Sequence, residues 1–310
     1  MTARPMGRLP LVLVLAVVYA LCYSVIKAGL EYAPPLRFAG LRTVAAGFAL
    51  LAYLGLSGHR PLLPPRSTWP GLLALSAIGT VVLYAAMFMS PGVTGAGIAS
   101  VLGNTGPLFA VALATPVLGE RVTSRKAVAL VVGTAGAILV AYPAVTDPNA
   151  PGLLGALLPV TAAAAAAGSA VLLKWLSVGD DLMPVVGWQL LIGGVVLLGA
   201  SALLETDHRV SWSVVFWGYL AFLAVPGTAF ASAAWYWLVQ REDVGRISII
   251  LMVLVPALGL GLAWAFFGET VRPLSLAGVA LALVGVGLAA GGHGEAAIRP
   301  GSGEAVKTSS

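Results

Sequence analysis

Ten apolar runs follow one another along this chain, near residues 9–28, 35–56, 70–90, 93–118, 126–143, 152–177, 183–203, 213–239, 246–267 and 273–291. Each approaches the ~20 apolar residues that a helix needs to cross a bilayer. Only short turn-forming or charged clusters separate them, such as Ser57–Pro70 and Asp147–Pro151. The shortest joint, Ser90-Pro91-Gly92, is expected to divide the third helix from the fourth. In lipid a single open segment must satisfy its own backbone, and a helix does so. The predicted fold is therefore an all-α integral membrane protein of ten transmembrane helices. Composition agrees: 59% of the residues are hydrophobic and 9% charged, against about 25% charged in soluble domains. No polar stretch is long enough to fold alone in water.

The apolar runs fall into two sets with a shared grammar. Pro107 precedes Glu120 by thirteen residues, and Pro256 precedes Glu269 by the same interval, 149 positions later. Lys27 and Arg42 are fifteen apart, as are Lys174 and Gln189. Gly136 and Gly285 each follow their glutamate by sixteen residues. The chain thus divides into a five-helix repeat at 9–143, a second at 152–291, and a Gly/Ser-rich tail at 292–310 expected to be disordered. Five spans per unit is an odd number, so the second unit enters the membrane from the opposite side. Such inverted repeats are frequent in secondary transporters.

Orientation follows from the basic residues. With the N-terminus inside, the inner segments hold Arg4, Arg8, Arg60, Arg66, Arg121, Arg125, Lys126, Lys174, Arg241, Arg246, Arg299 and Lys307, and the outer loops only Arg209 and Arg272. Both termini are expected in the cytoplasm, in a bacterial inner membrane. The net charge of +5 is read as this loop bias, with the lipid bilayer rather than nucleic acid as partner. The first run is too long for a signal-peptide core and is read as an uncleaved span. Cys22 is the one cysteine, which excludes an intrachain disulfide and a cysteine metal cage.

Three stretches resemble EamA-type carriers of the drug/metabolite transporter superfamily. They are YALCYSVIKAGLEYAPPLRFAGLR, ASVLGNTGPLFAVALATPVLGERVT and ISIILMVLVPALGLGLAWAFFGETV. The resemblance spans residues 9–291. It implies a ten-helix basket around a central cavity open to one side, and export of amino acids or other small metabolites. The family's first helix often reads Trp-Gly-Ser-Asn, where this chain has Tyr19, Ala20, Leu21 and Cys22.

Candidate substrate contacts are the polar and aromatic residues inside predicted spans. Lys27 and Arg42 are cations where charge is costly: one reading has Lys27 reach the interface and Arg42 pair with a carbonyl or with Glu31, and the sharper reading has Lys27 attract an anionic group such as an amino-acid carboxylate. Ser100, Asn104 and Thr105 precede Pro107, which removes a backbone donor and is expected to break the fourth helix. Ser248 and Pro256 hold comparable places in the ninth, so Pro107 and Pro256 are the expected hinges. Tyr19, Tyr23, Tyr84 and Trp235 are the aromatic candidates, with an interfacial belt as the competing reading for Trp235 and its neighbours. Glu120 and Glu269 end their helices against the dipole and are read as loop clamps with local basic partners, Arg272 in the case of Glu269.

No histidine or carboxylate falls mid-span, so an intramembrane proton relay is not expected. No nucleotide-binding loop, metal spacing or nucleophile elbow occurs. The expected protein is not an enzyme and uses no cofactor and no metal. It is a secondary carrier of small metabolites, a monomer or weak dimer, exporting amino acids or related compounds. The alternatives are an exporter of hydrophobic amphiphiles and a membrane-embedded lipid-modifying enzyme.

Overall fold

A computed structural model describes residues 9–58, 61–118, 124–146, 152–176, 182–206, 209–239, 244–270 and 272–290. Glu120 and the tail at 292–310 lie outside them. All regular structure among the described residues is helical. The first half contains α1 (Leu9–Gly29), α2 (Pro35–Leu56), α3 (Trp69–Ser76), α4 (Leu83–Thr94), α5 (Ala96–Gly103), α6 (Gly106–Leu118) and α7 (Ser124–Thr146). The second half contains α8 (Gly152–Leu176), α9 (Leu182–Leu204), α10 (Val214–Ala224), α11 (Ala231–Val239), α12 (Val244–Phe267) and α13 (Pro273–Ala290). A π-helical turn at Ala77–Val82 joins α3 to α4, and another at Val225–Phe230 joins α10 to α11.

The surface is inverted relative to a water-soluble protein. Phe48, Val131, Trp264 and Phe266 are each about two-thirds exposed, while Arg42, Thr80, Gln189 and Thr228 are buried. An apolar exterior of this kind is a liability in water and the natural outer face in lipid. Among the described residues, six helical stretches are long and apolar enough to cross a bilayer, and shorter apolar helices accompany them. The protein is a multi-pass membrane protein.

Two helix breaks have local causes. The fourth run starts after Gly95, not at Ser90–Gly92. Pro91 lies inside α4, and the Ser90 hydroxyl donates to Met87 O at 3.1 Å, the carbonyl that the missing Pro91 N–H leaves unpaired. The chain turns instead at Gly95, whose φ of 85° suits only glycine. The second break separates α5 from α6 at Asn104 and Thr105, directly before Pro107. Asn104 Nδ2 donates to Ser100 O at 2.7 Å, and Thr105 Oγ1 to Leu102 O at 2.6 Å. The corresponding break expected at Pro256 is absent, since α12 continues through it. Pro107 is flanked by Gly103, Asn104 and Gly106, which loosen the turn, whereas Pro256 follows Val253-Leu254-Val255 and has no such neighbours.

Without a hydrophobic force between helices in lipid, close backbone approach holds them together. The pairs α7–α13 and α2–α9 are the main seams. A Cβ on Gly278 would lie 2.7 Å from Val140 N, and one on Gly47 would lie 2.8 Å from Gly187 O. Gly136 faces the backbone of Ala282 just as tightly, while Gly287 faces open space. Gly136→Leu is therefore expected to lower stability by about 1–3 kcal/mol or to prevent assembly. Gly287→Ala should melt with the parent in a detergent thermal-denaturation assay.

Candidate functional site

The site is built where the helical ladder changes register. Pro226 cannot donate a backbone bond, and the turn around it relaxes into π geometry. Within this turn Leu223 O and Gly227 O are met by side chains. Thr228 Oγ1 donates to Leu223 O at 2.8 Å. Arg42, 2% exposed, reaches across from α2. Its Nε donates to Thr228 Oγ1 at 3.0 Å and Leu223 O at 3.3 Å, and Nη2 to Gly227 O at 3.4 Å. The guanidinium also lies over Tyr84, 4.7 Å from the ring centre, and 5.5 Å from that of Phe88.

The other π-turn carries a matching contact with the halves exchanged. Thr80 Oγ1 donates to Gln189 O at 3.3 Å, and Gln189 Nε2 to Thr80 Oγ1 at 3.4 Å. The two turns begin 148 positions apart, 77 against 225, and Gly79-Thr80 corresponds to Gly227-Thr228. Each half therefore inserts one side chain, Arg42 or Gln189, into the π-turn of the other.

Between these contacts lies a cavity of two adjoining lobes. The deep lobe, about 310 Å³, is lined by Tyr19, Cys22, Tyr23, Arg42, Tyr84, Asn104 and Thr228 among others. The larger lobe, about 690 Å³, shares Tyr19, Leu83, Tyr84, Thr228 and Ser232 with it. It adds Ser169, Lys174, Gln189 and Trp235 and reaches Leu182, at the end of the bundle where α8 stops and α9 starts. Among the described lining residues of both lobes there are two cations, Arg42 and Lys174, and no carboxylate.

At the opposite end of the bundle two carboxylates link the helices of one half to those of the other. Glu269, just beyond α12, forms an ion pair with Lys27. It also accepts from Ala96 N at 2.8 Å and Gly97 N at 3.0 Å, capping the N-terminus of α5. Glu205, just beyond α9, caps α2 in the same way, accepting from Leu36 N at 2.7 Å and Arg37 N at 3.1 Å. Negative charge at a helix N-terminus is favourable because it meets unpaired N–H groups and the positive end of the dipole. Beside these links Phe38 packs on Phe88 and Phe216, with ring centres 5.2 and 5.1 Å apart.

The EamA-like transporter family matches residues 8–142 and again residues 153–291. The chain belongs to this family. A probable amino-acid metabolite efflux pump of Salmonella typhimurium is 29% identical, with 87% of this chain and 90% of the relative aligned. The uncharacterized transporter YoaV of Bacillus subtilis is 26% identical over 82% of this chain and 86% of its own. A chloroplastic WAT1-related protein of Arabidopsis thaliana, also 26% identical, aligns over 83% of this chain, which spans only 63% of that relative's length. A solved crystal structure superposes with a TM-score of 0.63 over 91% of this chain and 97% of its own, at 17% identity, and shows the fold alone. These relatives are named as transporters or efflux pumps rather than enzymes where a class is given, and this EamA protein is a membrane transporter, not an enzyme.

The candidate residues separate on this geometry. Tyr19, Tyr23, Arg42, Tyr84, Asn104 and Trp235 line the cavity. Lys27 does not: it faces Glu269 and the Phe267 ring, whose centre is 4.7 Å away. Ser100 is buried against Gly259 of α12 and is absent from the cavity wall. Thr105 borders a different, apolar groove of about 530 Å³ among α6, α7 and α8, with Phe109 and Ile138. The backbone at Pro107 and Ser248 is helical, but their side chains lie outside what is described. Glu269 is more than the local clamp expected, because three of its partners belong to the first half.

Thr80, Thr228 and Gln189 were not among the candidates. The repeated Gly-Thr pair, 148 positions apart, is the signal that points to them. Loss of the Glu269 charge should register in stability. Glu269→Gln keeps an acceptor but strands Lys27, and Glu269→Ala also strands two N–H groups. Melting is expected in the order parent, Gln, Ala, with about 1–3 kcal/mol for each unpaired group. Adding Lys27→Met to Glu269→Gln should recover part of the loss, a non-additivity readable in a double-mutant cycle.

Proposed function

We propose that this EamA protein is a secondary carrier that exports amino acids or related small metabolites by alternating access. The observation that carries this reading is a cavity lined by tyrosines, hydroxyls, amides and two cations inside an apolar bundle, reaching the Leu182 end, while at the other end the halves are linked through Lys27, Glu269 and the α5 N-terminus. A cavity of that form suits a small solute held between halves that rock about it.

We take the fold to be ten spans in two inverted five-span repeats. The exchanged π-turn contacts support it, and so does the packing, where α1 on α12 is matched by α8 on α6. Under the basic-loop bias both termini face the cytoplasm of a bacterial inner membrane, and the cavity in this state opens inward. Substrate enters beside Lys174 and Trp235 and rests between the π-turns. It leaves after the Lys27–Glu269 link parts and the aromatic layer of Phe38, Phe88 and Phe216 separates. Amino-acid export rests on the Salmonella relative's name and on the size of the cavity.

Reconstituted proteoliposomes loaded with a mixture of L-amino acids test this reading: counterflow of a labelled amino acid is expected without ATP. Lipid turnover with no solute movement would sink it. The latch has its own test in a Cys22→Ser background carrying Lys27→Cys and Glu269→Cys. A cleavable thiol cross-linker between the two is expected to reduce flux at least about tenfold, equal to roughly 1.4 kcal/mol or more, and cleavage should restore it.

A further inference from the structure

We propose that Arg42 is the anchor for a carboxylate on the transported solute, which makes the presence of a carboxylate, rather than an ammonium group, the property this carrier selects. The inference rests on the cavity being the transport site and adds the chemistry that the site reads.

The first observation is an incomplete guanidinium. Arginine offers five N–H donors. Contacts to Thr228, Leu223 O and Gly227 O engage Nε and Nη2, and Nη1 is buried with no partner at all. A buried donor left unmatched is costly, and a buried charge without a counter-ion is more so. No carboxylate from the described residues lies within ion-pair distance of Arg42. Glu269 and Glu205 are engaged at the closed end.

The second observation is where the Arg42 side chain sits. Arg42 forms part of the wall of the deep lobe, together with Tyr23, Asn104 and the π-turn. Tyr84 and Phe88 lie beside it, with ring centres 4.7 and 5.5 Å from Arg42 Cζ, and the Thr228, Leu223 and Gly227 contacts hold its Nε edge. A planar pair of guanidinium donors suits a carboxylate better than any monodentate acceptor. The described walls carry no acid that would recognise an ammonium group, so an amine is met only by tyrosine rings, hydroxyls and amides.

The third observation is the asymmetry of the repeat. Arg42 and Gln189 occupy equivalent places, each against the threonine of the opposing π-turn. Both are long donors suited to that brace, so bracing alone does not call for a full charge. The charge is present on the one member that borders the deep lobe.

Cys22 provides the probe. Cys22 and Arg42 line the same lobe, and a Cβ added to Gly227 would lie 3.0 Å from Cys22 Sγ and 3.9 Å from Arg42 Nη2, so a solute seated on Arg42 is expected to shield the thiol. The full chain in detergent is treated with methyl methanethiosulfonate, a small neutral reagent, and modification is followed by intact mass. L-amino acids, the matching 2-hydroxy acids and the matching amino-acid amides are compared as protectants. Amino and hydroxy acids are expected to protect at similar concentrations, and amides to need about ten- to a hundredfold more, the size of a charged hydrogen bond.

Arg42→Gln should remove that difference. Arg42→Lys, which keeps the charge but loses the fork, should retain part of it. The parent comparison needs no variant and stands if Arg42→Gln does not fold. Amides that protect as well as acids, or an acid preference that survives in Arg42→Gln, would each overturn the anchor. Protection by acids without flux in proteoliposomes would keep the anchor and remove the transport reading. Flux with no preference for acids would do the reverse.

Discussion

A bilayer offers the backbone no hydrogen bonds, and every departure from the helical ladder must be answered inside the protein. This EamA chain departs in four described places: Gly95, the Asn104–Thr105 break and the two π-turns. Each is answered by a side chain close at hand or by one from the opposite half. Asn104, Thr105 and Thr228 act locally. Arg42, Gln189 and, after Gly95, Glu269 act across the interface. Except for Gly95, these departures adjoin a cavity, because only there can irregular backbone be tolerated at depth. Polar groups exposed by broken ladders and polar groups available to a solute are the same groups.

The two halves share their mechanical parts more faithfully than their chemical ones. The glycine seams, the π-turns and the Gly-Thr pairs recur at nearly constant offset. The groups that decorate them differ. Arg42 answers to Gln189, Cys22 to Ser169, and the Asn104 break to an uninterrupted α12. A duplicated frame supports two matching contacts, and a single guanidinium makes the cavity between them unequal. The backbone geometry is shared while what projects from it varies.

Much of this was legible before any coordinates. Apolar run length and the Pro-to-Glu spacing pointed to membrane helices and a duplication, because burial in lipid imposes a composition that few soluble chains show. Pro107 with its glycine neighbours marked a real break. Tyr19, Tyr23, Arg42, Tyr84, Asn104 and Trp235 were drawn from residue type and depth alone, and they meet in one cavity. What sequence did not supply was partnership across the halves. Lys27 looked available until Glu269, 242 residues away, was found against it. Ser100 shares a face with Asn104 along the helix but packs on Gly259. Pro256 repeats the residue of Pro107 without the glycines that let a helix open. Each difference comes from a neighbouring helix, or a local glycine, that a single helix read in isolation does not show.

Arg42 also has an electrical consequence. An empty carrier holds a positive charge at depth with no carboxylate from the described residues beside it. A membrane potential acts on such a charge by about 2.3 kcal/mol per 100 mV for a full crossing, and proportionally less for part of the field. A singly anionic 2-hydroxy acid seated on Arg42 brings the loaded site to zero, whereas a zwitterionic amino acid brings its own ammonium and leaves the site positive. On the proposed reading, voltage therefore acts on the empty and the amino-acid-loaded carrier alike, and only a cargo of net negative charge moves without it.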